Sequence, residues 1–119
     1  MVIHIVLFRP KPEVPGPDRE AIFSALSSAS TQIPAVRRFS VGKRLTHGRP
    51  YEQLMTEDYP FAAVVEFDDL AGLQEYLNHP HHQKLGKLFY KLLDAGLVYD
   101  YEVVGSETGQ SRMSPQPTS

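Results

Sequence analysis

The segment Tyr76-Leu77-Asn78-His79-Pro80-His81-His82 places three of the chain's five histidines and a tyrosine within seven residues, around one proline. A neutral imidazole can take a proton from carbon and a phenol can polarise a carbonyl oxygen, so a His and a Tyr facing one cavity suit enolate chemistry. The proline decides whether they can face each other. It removes a backbone donor and clashes with the preceding turn inside a helix, but it fits the first helical position. The spacing therefore predicts a helix ending near Leu77 and a second starting at Pro80, capped by Asn78 or His79. On one unbroken helix, Tyr76 and His82 would be roughly 240° apart; the break lets both turn to one side. His82 then falls in the first turn of the second helix, where the positive end of the dipole favours the neutral ring.

Other elements must position these side chains. Val2–Phe8 reads as a strand with two apolar faces, interrupted only by His4. Arg9–Pro17, with four prolines and a glycine, reads as a loop. Asp18 opens a helix with the stripe Ile22, Leu26, Ala29, Ile33, stopped by Pro34. Arg37–Leu45 alternates as a strand wet on one side, and Thr46–Tyr59 reads as a polar, mobile connection. Phe61–Phe67 is a third strand. Asp68 or Asp69 caps the next helix, with the stripe Leu70, Leu73, Tyr76, Leu77. The last helix carries Leu85, Leu88, Phe89 and Leu92 and is expected to stop at Gly96. Leu97–Val104 is the fourth strand. The order β-α-β-β-α-α-β is that of a ferredoxin-like α+β fold with a four-stranded antiparallel sheet and a broken second helix. Strands 1, 3 and 4 are apolar on both faces. Helices cover one, and an identical sheet is expected on the other, giving a homodimer through the open sheet face. Residues 1–104 make the domain, and 105–119 a polar tail.

The 119 residues carry a formal charge of −2, with 41% hydrophobic and 22% charged residues, as an ordinary globular domain does. No cationic cluster suggests nucleic acid, and no apolar run suggests a membrane span or leader, so a cytoplasmic location is expected. The absence of cysteine excludes disulfides and thiolate chemistry. The histidines lack familiar zinc spacings, so no metal is expected. No nucleophile elbow or phosphate-cradling loop is present.

Several segments together resemble the stress-responsive A/B barrel (Dabb) family: His4-Ile-Val-Leu-Phe8, Ile33-Pro-Ala-Val-Arg37 followed by Gly42, Val64-Val-Glu-Phe67, Tyr76-x-x-His79-Pro80-x-His82 and Tyr99-Asp-Tyr101. The resemblance spans about residues 2–104 and implies a dimeric α+β barrel. It also implies a site, since a plant cyclase of that family closes linear poly-β-keto substrates by aldol condensation without cofactor or metal. Its catalytic histidine and tyrosine match His82 and Tyr76, and its pocket histidine on the first strand matches His4. A further pocket histidine of that enzyme falls on Phe61 here, so the polar end of the pocket differs.

These readings give His82 as base and Tyr76 as acid or polarising group, with His4, Phe61, His79, Leu85 and Phe89 around a small hydrophobic or polyketide-like ligand. The blander readings are that His82 donates to a backbone carbonyl, Tyr76 packs as core, His4 is a satisfied core histidine and His79 is a cap. Asp100 and Glu102 read as rim. The functional alternatives are a non-catalytic binding or structural homodimer, and a cofactor-free monooxygenase-like enzyme.

Overall fold

The computed structural model describes residues 1–105; residues 106–119, the rest of the expected tail, lie outside the described residues. β1 (Val2–Pro10) leads through a proline-rich loop to α1 (Gly16–Gln32), then β2 (Arg38–Lys43) and β3 (Phe61–Phe67). α2 (Leu70–Asn78), α3 (Pro80–Leu92) and β4 (Leu93–Glu102) complete the chain. The sheet is antiparallel throughout, in the order β2-β3-β1-β4. This is the ferredoxin-like α+β arrangement that the element order predicts.

Strict alternation sorts the residues of the central strand. Val2, His4, Val6 and Phe8 are buried beneath the helices, while Ile3, Ile5 and Leu7 lie half-buried on the other side. Pairing carries the same sorting to β3, where Phe61, Ala63, Val65 and Phe67 share the helix side with their β1 partners. Ile22, Leu26, Ala29 and Ile33 from α1 and its end, with Leu73, Tyr76, Leu85 and Leu92 from α2 and α3, close that core. Phe8, fully buried, stacks on Phe61 at 5.6 Å and meets Phe89 at 5.2 Å. Phe8→Ala is expected to destabilise the fold by about 3–5 kcal/mol, read as a lower urea midpoint at unchanged slope. A loss below about 1 kcal/mol would mean that the core collapses around the vacancy.

Two sequence expectations change. The last helix stops at Leu92, not at Gly96, because β1 runs on to Pro10 and offers Arg9 and Pro10 as partners for Ala95 and Leu93. Gly96 pairs with Phe8 inside a strand. Secondly, the 46–59 connection is built: Pro50–Leu54 forms a 3-10 turn, and the Glu52 carboxylate accepts from the backbone N–H groups of His47, Gly48 and Arg49 at 2.8–3.1 Å. Gly48 sits at φ +83°, a conformation that costs other residues a steric clash.

Candidate active site

The helix break falls where the proline puts it. His79 lies outside both helices in extended conformation, and its Nδ1 accepts from the His81 backbone N–H at 3.2 Å. Pro80 takes the first helical position of α3, and Asp69 caps α2 by accepting from Gly72 N–H at 2.9 Å. The change of direction brings the Tyr76 and His82 rings to 4.7 Å between centroids. His4 reaches them from β1, 5.8 Å from Tyr76 and 6.4 Å from His82.

The three rings line one cavity of about 200 Å³, whose other walls are chiefly apolar: Val6, Leu26, Ala63, Val65, Leu85, Phe89 and Val98 among them. His4, Tyr76, His82, Leu85 and Phe89 are thus brought together. Phe61 and His79 are not. The Phe61 ring packs instead between Phe8 and Phe23, further along the sheet, and His79 is occupied as the α3 cap, its ring stacked on His81.

One polar group of the site comes from the last strand. Asp100 stands directly opposite His4 in the β1–β4 register, and its Oδ1 lies 2.5 Å from His4 Nδ1. A carboxylate only accepts, so it holds a proton on His4 Nδ1 and fixes the orientation of the ring. The sequence reading assigned Asp100 to the rim. Its signal was an acidic residue of β4 in register with the one histidine of β1.

Burial tunes the two central groups in opposite ways. It pushes the His82 imidazole below its usual range; the neighbouring His4 adds to this, and the Leu77 backbone opposes it. His82 is therefore neutral at pH 7, as a base must be. Burial pushes the Tyr76 hydroxyl up to about 12, so it keeps its proton and can only donate to a developing oxyanion. Among the described residues no cluster of three or more His, Cys, Asp or Glu side chains is arranged to hold a metal ion. No helix there is long and apolar enough to cross a membrane.

An antiparallel four-stranded sheet under a broken helix, with a His-Tyr-His cavity between them, defines a small ferredoxin-like α+β protein. Across residues 2–103 the chain matches the Stress responsive A/B Barrel Domain (Dabb), and it belongs to that family. Olivetolic acid cyclase of Cannabis sativa is 25% identical over 100 residues, covering 84% of this chain and 94% of that one. A dimeric ferredoxin-like protein from Thermobifida fusca is 26% identical at a TM-score of 0.68, covering 86% of this chain and 90% of that one. Hydroxynitrile lyase from Passiflora edulis shares the fold at a TM-score of 0.76 with 18% identity, covering 90% and 96% of the two chains.

Proposed function

We propose that this chain is a cofactor-independent cyclase or lyase that works on a small, polyketide-like carbonyl compound in the cavity between sheet and helices. The observation that carries the reading is the Tyr76–His82 pair, 4.7 Å apart in an otherwise apolar cavity continuous with His4. His82 takes an acidic proton from the carbon between two carbonyls, leaving an enolate. Tyr76 donates its hydroxyl hydrogen bond to the electrophilic carbonyl as its oxygen gains charge. The new carbon–carbon bond leaves an alkoxide, which the imidazolium of His82 reprotonates. Asp100 fixes the orientation of His4 at the cavity wall. The similarity to a curated cyclase over most of both chains supports this reaction class.

The test is cyclisation of a linear tri- or tetraketide thioester by the full chain. Wild type that leaves the substrate to its spontaneous products would move the reading to a non-catalytic binding dimer. Geometry also sets the pH profile. A base with its pKa below 6.5 is lost as pH falls through that value, so kcat/KM is expected to decline only on the acid side of 6.5. Tyr76 stays protonated to about 12, so no alkaline decline is expected across mildly basic pH. A fall in rate from pH 8 upward, about two units before a phenol of ordinary pKa would be half ionised, contradicts the role given to Tyr76.

The cavity lies on the helix side of the sheet, and the opposite side supports the partner expectation. Ile3, Ile5, Leu7, Val64, Leu97 and Tyr99 share that open face by register, with Tyr99 half exposed. We take a second copy to cover it, as the dimeric relatives encourage. Ile5→Asp would bury an unpaired carboxylate in that interface and is expected to give a folded monomer by light scattering. A dimer that survives Ile5→Asp would move the interface elsewhere.

A further inference from the structure

The cavity beside His82 is fenced on nearly every side. Among the described residues that line it, only Gly86 of α3 and Val98 of β4 are exposed, Val98 at 56%. They mark its mouth, a gap between the last helix and an edge strand of the sheet. Val98 pairs with Val6 and so faces the helix side, which keeps the gap clear of a second copy laid on the opposite face. Gly86 has no packing role in the fold. A glycine in mid-helix weakens the helix relative to alanine. Gly72 of α2 has a steric reason, since a Cβ there would lie 3.4 Å from Phe67 Cβ and 3.7 Å from Ala35 Cβ. A Cβ on Gly86 would meet nothing within 4 Å, and Gly48, not Gly86, is the glycine with a positive φ.

What the missing side chain leaves is space, one turn on from His82 and on the same side of the helix. Helical side chains lean toward the N-terminus, so a longer residue at 86 would lie over the turn that carries His82. Volume decides what must use the gap. At about 200 Å³ the cavity is smaller than the roughly 300–1,000 Å³ that encloses a drug-sized ligand. A tri- or tetraketide thioester therefore does not fit wholly inside. Its reacting carbonyls reach His82 and Tyr76 while its thioester end passes out. We propose that Gly86 is the specificity-determining position of the site, holding open the mouth through which the thioester end of a linear substrate projects into solvent. The choice of substrate rests on the catalytic reading, but the mouth is open to test without turnover.

Diethyl pyrocarbonate modifies neutral imidazole, and mass spectrometry of peptides from the full chain follows each histidine separately. Gly86→Leu is expected to slow modification of His82 roughly tenfold while leaving His47, on the exposed 46–59 segment, unchanged. Gly86→Ala is expected to melt about 3–5 °C above wild type, as a glycine kept for space alone allows. With a tri- or tetraketide thioester, Gly86→Leu is expected to raise KM at least roughly tenfold and to change kcat less than about threefold. The proposal is overturned if His82 keeps its wild-type labelling rate in Gly86→Leu, since the mouth then lies elsewhere. Equal slowing at His47 overturns it too, as does a Gly86→Ala protein that melts below wild type. An unchanged KM despite slowed labelling removes the specificity role. Wild type that turns over no thioester, while Gly86→Leu still shields His82, would sink the catalytic reading and leave Gly86 as the mouth of a binding pocket.

Discussion

His82→Gln is expected to lower turnover of a linear tri- or tetraketide thioester by roughly 10²–10⁴-fold, the range a positioned general base supplies. Glutamine is close to histidine in size and keeps a donor and an acceptor, but it has no nitrogen that takes a proton near neutral pH. The site in the fold tolerates it. Position 82 is the third residue of α3 after the His79 cap, and glutamine suits a helix at least as well as histidine does. Thermal stability is therefore expected to stay within about 1 kcal/mol of wild type. The variant separates chemistry from folding for that reason. Unchanged turnover in a folded His82→Gln protein would remove His82 from the mechanism.

Tyr76→Phe is expected to lower the same turnover by roughly 10²–10³-fold, the loss seen when one donor to an oxyanion is removed. Stability is the sharper half of this prediction. The ring is buried, packing on Phe67 at 5.2 Å, and that packing survives in phenylalanine. Among the described residues no fully enclosed side-chain oxygen lacks a partner, and no protein hydrogen bond of the Tyr76 hydroxyl is found. The oxygen therefore opens on the cavity. Removing it costs no protein–protein hydrogen bond, so the melting temperature is expected to hold or rise slightly. A loss of about 2 kcal/mol or more would mean that the hydroxyl serves the core instead. The double variant is expected to lose little beyond the worse single one, because both groups act on one transition state.

The parts of this architecture that local chemistry dictates were legible in the chain. Pro80 ends one helix and starts another whatever surrounds it, so the Tyr76–His82 approach could be foreseen. Period-two alternation in Val2–Phe8 and Phe61–Phe67 likewise defines two faces without any tertiary knowledge. What stayed hidden depends on residues distant in sequence. Gly96 looks like a helix stop, yet a strand that extends to Pro10 draws it into the sheet. The 46–59 segment looks like polar slack, yet one carboxylate at Glu52 gathers three amides and folds it. Asp100 reads as a surface charge until the β1–β4 register sets it against His4. The displacement of Phe61 from the cavity has the same origin, since the aromatic cluster with Phe8 and Phe23 claims its ring.

The His4–Asp100 contact joins groups 96 residues apart, the first strand to the last. A nascent chain exposes His4 long before Asp100, its carboxylate partner 96 residues on, has been made. Every fragment that ends before β4 also lacks the longest partner strand of β1, whose buried residues then have no neighbour on one side. Pairings that close so large a loop form late and slowly. The pocket is thus among the last features to mature, and an incomplete translation product cannot carry a half-working version of it.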